Sequence, residues 1–245
     1  MFVYKLIQSG IDTIDIILIL LSFAIAGTFA VVLHEVSHGY AAKKNGDLTA
    51  EINKRLSLNP VSHFSPMGFL MLLLVGFGWA KPVPINPDNF TNYKKGMIQV
   101  SIAGVISNII LAMSSLFLLF LAYITFFSMY VSSSHISGLF IKLFIYLFKV
   151  SLQINIFLAV FNILPIYPLD GYNLLSTILP YETGTKYKLF MVKYGTYVLI
   201  GLIIFSNIMR AFNIWYLDIF GMLGLLVDKL DAIILKGAFS VVTKY

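Results

Sequence analysis

Long apolar runs, separated by short stretches where lysine, proline, glycine and asparagine gather, set the pattern of this chain. Several runs reach or exceed the roughly 20 residues a helix needs to cross a hydrocarbon core. They predict spanning helices at about 12–42, 97–127, 138–164, 190–208 and 214–235. A shorter run, Met67 to Trp79, falls below spanning length and predicts a re-entrant or interfacial element packed against protein. Between the first two spans, "GDLTAEINKRLSLNP" alternates loosely between apolar and polar residues and is bounded by Gly and Pro, which predicts small β-strands. "KPVPINP" holds too many prolines for a helix or a central strand and predicts an extended loop. The expected fold is an all-α polytopic membrane protein with these strands and the re-entrant segment between its first two spans. It forms one membrane-embedded domain over 1–245, with a core at about 20–180 and C-terminal helices at 190–235.

Composition sharpens this picture. Hydrophobic residues make up 59% of the 245-residue chain and charged ones only 11%, which excludes a soluble globular class. Ile14 to Leu33 is too long for a signal-peptide core, and no small-residue cleavage site follows it. With no cysteine, disulfides, thiolate metal sites and cysteine nucleophiles are excluded. The net charge of +6 reads as topology rather than as a nucleic-acid footprint, because the basic residues cluster in particular loops. Lys43, Lys44, Lys54, Arg55, Lys81, Lys94 and Lys95 lie between the first two spans, whereas "SMYVSSSHIS" after the second has none. Lys186 and Lys188 follow the third span, and Lys236 and Lys244 lie in the tail. The alternation predicts a multi-pass protein of the cell's inner (plasma) membrane, with the N-terminus outside and the C-terminus cytoplasmic.

One titratable cluster breaks the apolar pattern. "HEVSH", His34 to His38, sits at the cytoplasmic end of the first span. Residues four apart share a helix face, so both imidazoles can address one ion while Glu35 stands beside them. That geometry suits zinc with an adjacent general base. Such a trio at the end of a lipid-facing span is costly unless it has a task. Catalytic zinc takes three protein ligands and leaves one position open. The candidates for the third are Glu51, His63, Asp88, His135, Asp170, Glu182, Asp218, Asp228 and Asp231. His38 precedes Lys43 by five residues, which sets it about 8 Å inside the cytoplasmic edge. His135 and Asp218 fall on the far side by this reckoning. Asp170 follows the third span, where Pro165 and Pro168 break the helix, and position favours it over Glu51 and His63.

At this point the chain resembles the site-2 protease family of intramembrane zinc metalloproteases. "HEVSH" matches its first motif, and "NILPIYPLDG", Asn162 to Gly171, matches its second. "AGVISN", Ala103 to Asn108, is similar to a third element in which Val105 replaces a proline. "GWAKPVPINP" and "LSLNPVSHFSP" resemble the compact bacterial and archaeal members, with Ser65 in place of an acidic residue. The resemblance implies that His34, His38 and Asp170 hold one Zn2+ per chain and that Glu35 is the catalytic base. It implies a metalloendopeptidase that cuts a peptide bond in or near the transmembrane segment of a membrane-anchored substrate, from the cytoplasmic side. The implied partner is a single-pass transmembrane protein, such as a membrane-tethered regulator already trimmed by another protease. The chain leaves no room for a peptide-binding PDZ module or a nucleotide-sensing CBS module, so it reads as a minimal member.

Two asparagines are candidate substrate-binding residues. Asn108 lies within the second span, where it could hydrogen-bond substrate backbone or the oxyanion, or another helix. Asn162 could position substrate, or satisfy carbonyls freed by Pro165 and Pro168. A strand edge at 48–60 is a candidate for capturing an unwound substrate by strand addition, and His63 reads as a hydrogen-bonded loop histidine. Two other classes compete. A different HExxH membrane metalloprotease would take its third ligand from Glu51 or Glu182. A metal-binding or transport protein would spread polar residues through several spans, yet 97–127 and 190–208 carry almost none beyond Ser, Thr and Asn.

Overall fold

The computed structural model describes residues 10–63, 65–68, 70, 81–130 and 135–243. Its main helices are α1 (Thr13–Lys44), the one-turn α2 (Thr49–Ile52) and α3 (Pro60–His63), α4 (Tyr93–Tyr130), α5 (His135–Asn162), the short α6 (Asp170–Ile178), α7 (Tyr181–Ala211) and α8 (Ile219–Val242). Four of them, α1, α4, α5 and α7, are long and apolar enough to cross a membrane. The fifth expected span coincides with α8, which carries Asp228, Lys229, Asp231 and Lys236 along its 24 residues. The expected re-entrant run Met67–Trp79 lies outside the described residues, apart from Met67, Gly68 and Leu70.

The small strands expected at 48–60 are not found: among the described residues there is no strand. Local side-chain bonds turn this segment into helical turns instead. The Asp47 carboxylate accepts the Thr49 N–H (3.0 Å) and the Thr49 hydroxyl, closing the turn that starts α2. Asn59 Oδ1 accepts the Val61 N–H (3.0 Å) ahead of Pro60 at the start of α3. These bonds win because the loose alternation finds no partner strand among the described residues to reward it.

Helix α1 stops where Asn45 and Gly46 leave the helical region. Asn45 Nδ2 donates back to the Ala41 carbonyl (2.7 Å), and Gly46 takes φ +104°, a conformation that disfavours any side chain. Asp47 is fully buried beyond that turn and also accepts from the Asn86 N–H (2.8 Å) and Asn89 Nδ2 (2.8 Å), which ties the end of α1 to the Pro-rich segment 81–89.

Helices α1, α4 and α5 form the central layer. Three clusters mark successive heights in it: Ala42, Phe90 and Val100; then Ala112, Leu152 and Val227; then Leu119, Tyr123 and Ala238. The outer faces of α4 and α5 expose Ile106, Ile110, Met113, Phe117, Phe140 and Phe144, a surface suited to lipid rather than water.

The clusters also give the direction of α8. Phe220, at its start, packs on Phe157 and Phe161 near the end of α5, while Phe239, near its finish, packs on Phe127 close to the end of α4. Helix α8 therefore runs parallel to α4. The start of α1 lies at the same end, where Asp15 pairs with Lys142 of early α5 (3.1 Å). Asp15 and Phe239 thus lie at one end of the bundle and Lys43 and Lys44 at the other, whereas the charge pattern predicts termini on opposite sides. Asp231 is held inside the bundle by the Tyr123 hydroxyl (2.6 Å) and Lys149 Nζ (2.7 Å). The Lys149 pair neutralises Asp231 within the fold, which is how an acidic residue is carried inside an apolar bundle.

Candidate metal centre

His34 and His38, one turn apart on α1, are both 7% exposed. Their rings meet edge to face, 4.6 Å between centroids at 88°. The two Nε2 atoms lie 3.0 Å apart. Each is 3.3 Å from Oδ2 of Asp170, the first residue of α6. Among the described residues these three form the one group of His, Asp and Glu side chains able to hold a metal ion, with ligand atoms within 4.8 Å of one another.

The loop between α5 and α6 brings the carboxylate there. Helix α5 ends at Asn162, the chain turns through Pro165 and Pro168, and extended Leu169 leads into α6. An acidic residue in the first turn of a helix is favoured by the helix dipole. The turn closes tightly: a Cβ at Gly171 would collide with the Ile163 carbonyl and lie 2.5 Å from the Leu164 carbonyl oxygen. The Leu-Asp-Gly sequence therefore needs its glycine so that α6 can start against the end of α5.

Helix α4 supplies the space and the orientation. A Cβ at Gly104 would lie 2.5 Å from His34 Cε1 and 2.6 Å from His38 Nε2, so only glycine admits both imidazoles against this helix. His38 Nδ1–H donates to the Val100 carbonyl (2.8 Å) and His34 Nδ1–H to Asn108 Oδ1 (2.6 Å). A carbonyl can only accept, so His38 carries its hydrogen on Nδ1 and turns an unprotonated Nε2 inward.

The donor set fits zinc. Two Nε2 lone pairs and a carboxylate oxygen converge, and Asp170 Oδ2 is buried without accepting a hydrogen bond. Three buried acceptors facing one another repel unless a cation joins them. Two imidazoles and one carboxylate are a ligand set of catalytic zinc, and the outward Nδ1–H bonds supply the support that such ligands need.

Glu35 is half-buried beside the group, and its Oε2 accepts the Val83 N–H (2.9 Å). Val83 belongs to the extended Pro-rich segment, anchored where Lys81 N donates to the His63 carbonyl (3.0 Å) and Arg55 donates to the Lys81 carbonyl (2.7 Å). The other candidate ligands stand apart from the group. His63 is buried with Nε2 on the Ser57 carbonyl (2.8 Å), Glu51 pairs with Lys43 (2.6 Å), and Asp88 and Glu182 are exposed.

The two asparagines take different positions. Asn108 is fully buried; besides His34 it meets Asn155, its Nδ2 donating to Asn155 Oδ1 (2.8 Å). Asn162 donates through Nδ2 to the Leu158 carbonyl of its own helix (3.0 Å). Sequence reasoning missed Asn155, the Val100 carbonyl and the Val83 N–H. The backbone groups leave no trace in residue identity. Asn155 had a signal: Ser151 and Asn155, four apart in an apolar span, share a helix face with Asn108 and Ser115 opposite.

Comparison with known proteins agrees with this geometry. The family model for Peptidase family M50 matches residues 22–206. A Bacillus subtilis (strain 168) protein with the name "Putative zinc metalloprotease YwhC" is 36% identical over 184 residues, which cover 75% of this chain and 79% of that protein. No solved structure matches the chain significantly.

Proposed function

Since the chain belongs to peptidase family M50, the site-2 protease family of membrane zinc metalloproteases, we propose that it hydrolyses a peptide bond in or beside the transmembrane segment of a membrane-anchored protein. The observation that carries this reading is the meeting of His34, His38 and Asp170 at one buried point with Glu35 alongside. We assign those three residues as the ligands of one zinc ion and Glu35 as the catalytic base. Bound there, zinc supplies the Lewis acidity that polarises a peptide carbonyl and acidifies water.

The chain's own groups do the rest. The Val83 N–H holds Oε2 of Glu35, which leaves Oε1 to take a proton from water and deliver it to the leaving amine. Asn108 acts on His34 rather than on substrate. Asn162 closes the end of α5 ahead of the Asp170 loop, in reach of a substrate entering from that side.

The membrane arrangement belongs to the same reading. The protein is one domain in which α1, α4, α5 and α8 cross, α8 because Val227 and Ala238 bury against α4 and α5 at two heights. Helix α7 keeps near the metal-bearing end, with Tyr187 on the Pro165 carbonyl and Arg210 on Asp218 at the start of α8. The lysine-rich end with the metal ligands faces the cytoplasm of a bacterial or archaeal cell, and both termini face outward across the plasma membrane. Asp15 stands 19 residues from His34 on α1, about 29 Å by helical rise, close to the roughly 30 Å thickness of a hydrocarbon core. The substrate is a single-pass protein such as a tethered regulator.

The test is purification in detergent, with zinc analysis and cleavage of a reporter that carries one transmembrane segment. E35Q keeps zinc and loses cleavage, whereas D170A loses most of both. Full cleavage by E35Q, or a zinc content unchanged in D170A, refutes the assignment.

A further inference from the structure

The two histidines are oriented by different means. His38 rests directly on a backbone carbonyl, that of Val100 (2.8 Å). His34 rests on the side-chain amide of Asn108 (2.6 Å), and an amide can present either end. Turned over, Asn108 would offer Nδ2 to His34, force the imidazole hydrogen onto Nε2 and remove the lone pair that faces Asp170.

The hydrogen bonds behind Asn108 decide which end it presents. Asn155 Nδ2 donates to the Ser151 carbonyl (2.8 Å), which can only accept. That contact fixes Asn155 with Oδ1 toward Asn108, and Asn155 Oδ1 can only accept from Asn108 Nδ2 (2.8 Å). Asn108 must then present Oδ1 to His34. The polarity runs one way from a carbonyl on α5 through two amides to an imidazole on α1. Asn108 Nδ2 also reaches the Ala30 carbonyl, but at 3.4 Å that contact is long and weak. Asn108 is 0% and Asn155 1% exposed, so bulk water has no access to either amide. A hydroxyl pair, Ser115 with Ser151 (2.8 Å), continues the polar strip between α4 and α5.

We infer that Asn155 is a positioning residue for the metal centre: through Asn108 it sets which nitrogen of His34 is free to bind zinc. The inference rests on the assignment of His34 as a ligand. Neutral imidazoles are the form that binds metal, and removing partners behind a ligand histidine weakens metal affinity by about 10–100-fold.

The experiment uses the full-length zinc-loaded protein labelled with [15N]histidine, with the Nδ1–H signals of His34 and His38 read by NMR and zinc affinity read by competition with a chelator. N155L matches the shape of the side chain and breaks the polarity. Its expected effect is a 10–100-fold loss of zinc affinity, with the His34 Nδ1–H signal shifted and exchanging faster and the His38 signal unmoved. N155D is the conservative rescue: buried away from water its carboxyl stays neutral, donates to the Ser151 carbonyl and accepts from Asn108. Zinc affinity within about threefold of wild type is expected for it. A role in packing alone predicts the reverse order, with N155L tolerated and N155D damaged, and that order overturns the proposal, as does wild-type behaviour of both variants. Should N155L fail to fold, the wild-type spectrum decides: a His34 Nδ1–H that exchanges rapidly with solvent overturns the relay. H34Q separates the two levels of the argument. If it binds zinc as tightly as wild type, the ligand assignment has failed rather than the relay.

Discussion

Replacing Gly104 with alanine tests the centre at its tightest contact. The added Cβ would stand 2.5 Å from His34 Cε1, 2.6 Å from His38 Nε2 and 2.7 Å from His34 Nδ1. Carbon atoms pack at about 3.5–4.0 Å, so the rings or the helix must give by about 1 Å. Neither yields easily, because His34 and His38 are tied through Nδ1 to Asn108 and Val100 on the same helix that carries Gly104. Moving α4 away drags those acceptors with it, and moving the rings breaks the bonds that aim them. Overpacking of this kind costs about 1–3 kcal/mol, and each 1.4 kcal/mol is a factor of about ten in affinity. The expected result for G104A is a 10–100-fold loss of zinc affinity by chelator competition, with cleavage reduced at least as far at saturating zinc. Gly201 on α7 provides the control, since nothing lies within 4 Å of a Cβ built there. G201A should bind and cleave as wild type and gain up to about 1 kcal/mol of helix stability. Wild-type zinc affinity and cleavage in G104A would refute the reasoning, because the imidazoles would then have room that this geometry denies them.

Two further outcomes follow from the rest of the fold. The Asp218 carboxyl, at the start of α8, is held down to about 2 by the Arg210 guanidinium, with Ser206 and the Gly221 N–H assisting against burial. Its ordinary value is 3.8, so the bound carboxylate stabilises the fold fully above that pH and progressively less as pH falls toward 2. The difference in melting temperature between wild type and D218N should be large at neutral pH and vanish between about pH 4 and pH 2; a difference independent of pH would contradict the pairing. The absence of native cysteine makes topology directly measurable. Single cysteines at Gly10 and Thr243 should both react with an impermeant maleimide from outside intact cells, and one at Lys54 should not. Labelling of Gly10 and Thr243 from opposite sides would overturn the parallel course of α4 and α8.

The sequence determined the class and the chemistry of this protein. Apolar runs of spanning length leave lipid as their only stable surroundings, and two histidines four residues apart on a helix must share a face, so α1, α4, α5 and the zinc motif are legible without a fold. Prolines and depth only favoured Asp170 over Glu51 and His63; the resemblance of "NILPIYPLDG" to the family's second motif singled it out. Tertiary structure decided whatever depended on partners remote in sequence. Residues 48–60 alternate as a strand would, but Asp47 and Asn59 capture their backbone groups, and no second strand competes among the described residues. The course of helix α8 follows from packing alone: Tyr123 and Lys149 absorb Asp231 within the bundle, and Phe220 and Phe239 set its direction along α4. Gly104, Val100 and Asn155 matter to the site only because α4 lies against α1 on one side and α5 on the other. Residue identity sets which bonds a side chain can form; the packing of helices sets which bonds it does form, because burial removes water as the alternative partner.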